Sequence, residues 1–211
     1  ETILFGNGIN RLSKSNPSWG VLLNDLKGEH QFKDNTLPNT MIYERIILDR
    51  PNLRMEILED EFKVKAKISE SMNLTETHPL YHALYSLNAT NYLTTNYDNS
   101  FINTIQNEYN NQIRVEDLST EGVYSLRREK RVYTTRKEYK SLWQIHGEIK
   151  RPASIMLGLD HYCGSIGKVD SFIKGSYEYR KDGKPIREES ISKKLNSKSF
   201  TKTSWVELFF N

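Results

Sequence analysis

Cysteine is almost missing from this 211-residue chain, where Cys163 stands alone. A single cysteine excludes an internal disulfide framework and any cysteine-rich zinc site, and it fits a reducing, cytoplasmic setting. Long apolar runs are missing as well: none approaches the roughly 20 residues needed to span a bilayer. The net charge of +3 is too small to argue for nucleic acid or an anionic membrane as a partner. The opening Glu1-Thr2-Ile3-Leu4-Phe5-Gly6 has neither an initiating Met nor the basic-then-apolar layout of a signal peptide. It reads as a strand entered partway. The expectation is one domain over residues 1–211, forming the N-terminal part of a longer protein. No internal repeat, no coiled-coil heptad and no serine or cysteine with an attached base is visible, so nucleophilic acyl transfer is not indicated. With 36% hydrophobic and 27% charged residues, the chain is long enough to bury a substantial core as a soluble globular protein.

What the chain does contain is a series of short β-prone runs that stop abruptly in polar residues. Thr2–Phe5 runs into Gly6-Asn7-Gly8-Ile9-Asn10. Two glycines one residue apart after a strand let the backbone turn tightly and approach a phosphate, although the third glycine of the dinucleotide fingerprint is absent. A helix is expected from about Asn16-Pro17, carrying Trp19, Val21, Leu22, Leu23 and Leu26 and stopping at Gly28. Residues 29–75 read as helical and partly irregular, with Met41, Ile42, Ile46 and Ile47 on one helical face closed by Pro51, then an amphipathic stretch from Leu58 to Met72. Thr77 is placed to cap a helix bearing Leu80, Leu84 and Leu87. His78 and His82, four apart, read as a partly exposed helical pair rather than as metal ligands, since no third ligand is evident.

The run Asn91-Tyr92-Leu93-Thr94-Thr95-Asn96-Tyr97-Asp98 is the centre of the chain. Tyr92, Leu93 and the β-branched Thr94 and Thr95 read as a strand, with Asn96 and Asp98 at its carboxyl end, where open α/β sheets bind ligands. An Asx turn is the plainer reading of those two polar residues. Phe101, Ile102 and Ile105 continue as a helix. The basic residues between Arg127 and Lys140, diluted by glutamates, read as a solvated hairpin or loop. Leu142–Ile145 is a third strand ending at His146-Gly147, and Ser154–Leu159 is a fourth candidate. Gly164–Lys202 is polar, with turn signals at Asp182-Gly183 and Lys184-Pro185, and Ser204–Phe210 is strongly apolar.

If the first three strands are parallel neighbours, their polar ends converge on one crevice. The glycine turn suits a pyrophosphate, the amide and carboxylate suit a ribose and a carboxamide, and the imidazole suits a general base.

These three motifs, in this order, resemble those of the sirtuin family. Gly6-Asn7-Gly8-Ile9-Asn10 is similar to the sirtuin Gly-Ala-Gly-Ile-Ser loop, Thr94-Thr95-Asn96-Tyr97-Asp98 to the Thr-Gln-Asn-Ile-Asp motif, and Ile145-His146-Gly147 to the His-Gly that carries the catalytic base. The resemblance spans residues 2 to about 160, with Ser204–Phe210 resembling the helix before the sheet's final strands. It implies an α/β fold: a Rossmann-like parallel sheet with a helical insertion, sirtuin-like and lacking its last strands in this chain. It also implies that NAD is bound as a substrate and cleaved at its nicotinamide–ribose bond, with no metal required. By position, Asn96 and His146 would be catalytic, while Gly6, Asn7, Gly8, Ile9, Asn10, Thr95 and Asp98 would bind the dinucleotide, Asp98 holding the carboxamide. The four-cysteine zinc module of lysine deacylases is not present, and Asn7 and Asn10 stand where the family has Ala and Ser. That departure points away from deacylation and toward water as acceptor, as in zinc-less sirtuin-like NAD hydrolases of bacterial anti-phage defence. Such domains work as homo-oligomers or with a sensor partner. The alternatives are a module that senses NAD or ADP-ribose without turnover, and a protein deacylase or ADP-ribosyltransferase.

Overall fold

Alternating β-prone and amphipathic stretches assemble into a mixed α/β structure. A computed structural model of the chain describes residues 1–13, 17–28, 32, 36–48, 54–73, 77–110, 112–119, 126–181 and 183–210. Five strands form the main sheet: β1 (Thr2–Phe5), β2 (Asn91–Thr94), β3 (Arg114–Asp117), β4 (Glu129–Tyr133) and β5 (Tyr139–Gln144). Their spatial order is β1-β2-β5-β4-β3. β1, β2 and β5 are parallel neighbours, with Leu4 level with Leu93 and Leu93 level with Trp143, whereas β4 and β3 add antiparallel to β5. A separate hairpin pairs β6 (Glu178–Lys181) with β7 (Lys184–Arg187).

The helices are α1 (Trp19–Lys27), α2 (Asn39–Leu48), α3 (Arg54–Ser71), α4 (Leu80–Ser86), α5 (Ser100–Glu108), α6 (Leu159–Lys174) and α7 (Ile191–Ser197). β2 is buried at every position, as befits a parallel strand covered on both faces. Tyr92, Leu142 and Val132 of the sheet pack with Tyr81 and Tyr85 of α4 and with Phe101, Ile102 and Ile105 of α5. α1, α2 and α3 build a second core in which Leu22, Leu23, Ile46, Ile47 and Ile68 meet Tyr97, Ile155 and Leu157. A third cluster joins Phe172 of α6, Ile191 of α7, Tyr177 and Val206.

Gly28 ends α1 as expected, but the helix starts at Trp19, two residues after Pro17, with the Ser18 hydroxyl as its cap; Asn16 and Pro51 lie outside the described residues. Several expectations are corrected. The sheet is mixed rather than wholly parallel: the stretch expected to be a solvated hairpin or loop forms a hairpin in which β4 pairs antiparallel with β5, and β3 adds antiparallel to β4. Its Arg128, Glu129 and Lys130 are buried: charge alone misleads when the charges are neutralised inside the fold. Ser154–Leu159 is not a strand. A 3-10 turn at Pro152–Ser154 leads through buried Ile155, Met156 and Leu157 into α6. Of the leucines expected to face the core from α4, Leu84 packs against it, whereas Leu80 and Leu87 are exposed and Tyr81 and Tyr85 are buried in their place. Thr77 does not cap α4, whose N-cap is Pro79. On α2, Met41 is exposed and Tyr43 is buried instead. The turn after Lys181 is bridged at Gly183, while Asp182 lies outside the described residues. Ser204–Phe210 forms a 3-10 helix, Trp205–Phe209, capped by Ser204. No helix among the described residues is long and apolar enough to cross a membrane.

Candidate functional site

The parallel ladder continues past the ends of its strands. The Thr95 N–H donates to the Phe5 carbonyl at 3.4 Å, and the Ile145 N–H donates to the Thr94 carbonyl at 3.0 Å. This carries Gly6–Asn10, Thr95–Asp98 and Ile145–Gly147 to the same edge of the sheet. A cavity of about 230 Å³ opens there, lined by Asn7, Thr95, Asn96 and His146 from the three strand ends. Trp19, Asn39, Thr40, Met72, Tyr97, Leu157 and Tyr162 complete its walls.

The chain after β2 reverses sharply because the Thr94 hydroxyl accepts from the Asn96 N–H at 3.0 Å. Asn96 is 5% exposed. Its Nδ2 donates to the Tyr81 hydroxyl at 3.1 Å and to the Gly6 carbonyl at 3.4 Å. Its Oδ1 is buried and has no hydrogen-bond partner among the described residues. An unmet buried acceptor costs roughly 1–3 kcal/mol, and this one belongs to a residue that lines the cavity.

His146 follows β5. Its ring stands edge-on to Tyr162 with centroids 5.2 Å apart, and no side chain among the described residues hydrogen-bonds it. Burial lowers its pKa below the ordinary imidazole value, so near neutral pH it is an uncharged base. Its backbone is fixed by the Met156 N–H, which donates to the His146 carbonyl at 2.9 Å. Gly147 sits at φ +103°, and a Cβ there would run into the Ser154 carbonyl, so the turn that aims His146 demands glycine. The Ile149 N–H donates to the Tyr97 carbonyl at 2.9 Å, and Gln144 Nε2 donates to the Tyr97 and Asp98 carbonyls at 3.2 and 3.0 Å. These bonds tie the loop after β2 to the loop after β5. Tyr97 donates its hydroxyl to the Met156 carbonyl at 2.6 Å. Burial first, then Tyr162 and Tyr43, raises its pKa far above the phenol range, so it stays protonated.

Of the residues expected at the site, Asn7, Thr95, Asn96 and His146 line the cavity, whereas Gly6, Gly8, Ile9, Asn10 and Asp98 are not part of its lining. Gly6 is packed against Thr95, whose Oγ1 would lie 3.2 Å from a Cβ at that position, whereas the space at Gly8 is open. Neither glycine has a positive φ, and a 3-10 turn (Asn10–Leu12) rather than an α-helix follows directly. Asp98 uses both carboxylate oxygens internally: Oδ1 accepts from the Ser100 N–H at 2.8 Å and Oδ2 from Asn10 Nδ2 at 2.7 Å. The first of these is an Asx turn that starts α5. Sequence reasoning missed Trp19, Met72, Leu157 and Tyr162 as cavity walls, because their helical and apolar context marks them only as core. It also missed His161, whose Nδ1 accepts from the Leu157 and Gly158 N–H groups at 3.1 and 3.0 Å and whose Nε2 meets Glu61 at 2.7 Å. That histidine caps α6 and pins it to α3. His78 and His82 do not converge: His78 accepts from the Leu80 N–H and His82 faces Glu108. Among the described residues no group of three His, Cys, Asp or Glu is arranged to hold a metal ion.

Compared with models of known protein families and with curated proteins, the chain matches none.

Proposed function

We propose that this chain binds NAD as its substrate and hydrolyses the nicotinamide–ribose bond. The observation that carries the reading is the meeting at one cavity of an unpartnered buried acceptor, Asn96 Oδ1, and an uncharged imidazole, His146, at the carboxyl edge of three adjacent parallel strands. The likeness of the three motifs to those of sirtuins supplies the substrate class. The cavity is smaller than the roughly 300–1,000 Å³ of sites that enclose a drug-sized ligand, so it suits the nicotinamide-ribose end, with the phosphates running out over Gly6–Asn10.

In this reading Asn96 Oδ1 accepts a hydrogen bond from a ribose hydroxyl or from the attacking water, which fixes the reacting carbon against the base. His146 takes a proton from that water as its oxygen bonds to ribose C1′. The electron pair of the broken C1′–N bond leaves with nicotinamide, which departs neutral. NAD and water thus give nicotinamide, ADP-ribose and a proton. Trp19, Met72, Leu157 and Tyr162 keep bulk water from the reacting end, which strengthens the electrostatics inside. On the same resemblance we place the protein among cytoplasmic effectors of abortive-infection defence against phage, acting as a homo-oligomer or with a sensor partner.

The test is nicotinamide release by the full-length protein and by its Asn96→Ala and His146→Ala variants. Loss of a positioned base lowers turnover by about 10²–10⁴-fold, and a loss in this range is expected for His146→Ala, with at least about 10² for Asn96→Ala. Release at the parental rate by both variants would overturn the site assignment. Tight NAD binding without turnover would make the chain a sensor.

A further inference from the structure

We infer that Asp98, which does not touch the cavity, dictates through Asn10 and Tyr81 that Asn96 presents an acceptor and not a donor to the ligand. The four side chains form one hydrogen-bonded file: Asp98 Oδ2 to Asn10 Nδ2 at 2.7 Å, Asn10 Oδ1 to the Tyr81 hydroxyl at 2.7 Å, and the Tyr81 hydroxyl to Asn96 Nδ2 at 3.1 Å. All four are buried. Each link forces the next. An ionised carboxylate can only accept, so Asn10 must turn its NH₂ toward Asp98, a choice reinforced by its 3.0 Å bond to Asn7 Oδ1. That leaves the Asn10 oxygen facing Tyr81, whose single O–H must therefore donate to it. The phenol oxygen is then an acceptor toward Asn96, which turns its NH₂ to the relay and leaves its unmet Oδ1 as the remaining polar atom of a side chain whose residue lines the cavity. Gly6, whose carbonyl also accepts from Asn96 Nδ2, agrees with that sense. Burial, with the Asp98 charge second, raises the Tyr81 pKa well above the phenol range, so the relay keeps its one proton at every working pH.

Tyr81 and Asp98 are thus positioning residues. The relay makes the site selective for a ligand group that donates, a hydroxyl or a water, over one that only accepts. Asp98→Asn should reverse the file. The Ser100 N–H keeps the Oδ1 position as acceptor, so the new NH₂ faces Asn10. Asn10 then turns its oxygen to residue 98 and its NH₂ to Tyr81, the phenol donates to Asn96, and Asn96 turns its NH₂ outward, at the cost of its 3.4 Å bond to the Gly6 carbonyl and of the present Asn10–Asn7 bond. Tyr81→Phe cuts the file without reversing it.

The experiment joins two readouts. The first is the side-chain amide signal of Asn96 in ¹⁵N-labelled protein, identified by its disappearance in Asn96→Ala. The second is kcat and KM for nicotinamide release, which rests on the proposed function. In Tyr81→Phe the Asn96 amide should shift and exchange faster with solvent, with kcat down about tenfold and KM within about threefold, the scale of one lost hydrogen bond. Asp98→Asn should move the same signal and lower kcat further, by about 30-fold or more, because a donor then opposes a donor. Tyr81→Phe deletes one oxygen and keeps the test open should Asp98→Asn fail to fold. An Asn96 amide unmoved in both variants overturns the relay. A moved amide with parental kcat in both overturns its part in turnover. If the parent protein releases no nicotinamide, the hydrolase reading falls while the amide signal still decides the relay.

Discussion

Directly after His146-Gly147, the fully buried Glu148 carboxylate pairs with Lys130 and Arg151, and Arg128 stands 3.8 Å away. Lys130 also donates to Gln144 Oε1 at 2.7 Å, and the Glu148 N–H donates to the Ser154 hydroxyl. At the end of β2, the Asn96 Oδ1 has no hydrogen-bond partner among the described residues. Beside β4 the buried Glu148 carboxylate is met several times over, while at the end of β2 an unmet polar atom belongs to a residue that lines a cavity. Saturation of that kind belongs to structure. Of the buried polar atoms without a partner among the described residues, which include Ser100 Oγ, Trp143 Nε1 and Trp205 Nε1, Asn96 Oδ1 is the one whose residue lines the cavity, and each such atom calls for its own explanation. The same contrast holds farther along the chain, where the Lys194 ammonium is bound by Glu188 at 2.8 Å and Glu207 at 2.7 Å. It joins α7 to the 3-10 helix at Trp205–Phe209, with no open oxygen left for chemistry.

The contrast breaks if substitutions at the two places fail to separate stability from turnover. His146→Ala should lose about 10²–10⁴ in kcat with the melting temperature nearly unchanged, read by nicotinamide release alongside thermal unfolding. Glu148→Ala should do the reverse. It strands the buried Lys130 without its counter-charge, while Arg151 keeps Asp117 at 2.9 Å, at a cost of about 3–5 kcal/mol, which is a large share of the roughly 5–15 kcal/mol that holds a domain folded. Denaturant unfolding measures it. Gly147→Ala lies between the two. A positive φ and the clash with the Ser154 carbonyl should cost at least about 1–3 kcal/mol, and any folded protein should show a raised KM as the His146 turn shifts.

The pH profile sharpens the same point. His146 has a folded pKa below its unfolded value, so the unfolded chain binds more protons between the two. The neutral buried imidazole therefore contributes stability that is present above about pH 6.5 and is lost as pH falls below it. Turnover that needs the neutral base should be flat through pH 7–8 and decline only on the acid side, and the His146→Ala variant should lose the matching acid slope in its melting temperature. The smallest effect is expected at exposed Cys163. Cys163→Ser should change stability by no more than about 0.5 kcal/mol and leave nicotinamide release untouched.

Much of this was legible because strand ends announce themselves. Phe5 to Gly6, Thr94 to Asn96 and Gln144 to His146 are each a step from β-prone to polar residues, and parallel pairing of the three strands puts those steps side by side. The site's walls were not legible, since Trp19 and Met72 reach the cavity only through the tertiary placement of α1 and α3. β3 and β4 were hidden by their own composition. Glu129 and Lys130 look solvated until Ser141 and Glu148, from a distant part of the chain, are seen to satisfy them. The turned face of α4 has a similar cause: Tyr81 and Tyr85 bury more area than the leucines beside them, and their hydroxyls find Asn10 and Tyr109. An i, i+4 pair of tyrosines was the available signal for it.

The most direct measurement of the central claim is incubation of the full-length protein with NAD in ¹⁸O-enriched water, followed by mass spectrometry of the products. The account predicts free nicotinamide together with ADP-ribose carrying one ¹⁸O at ribose C1′, and neither product when His146 or Asn96 is replaced by alanine. NAD left intact in a tight complex, or its ADP-ribose recovered on a protein or acyl group without the label, would contradict it.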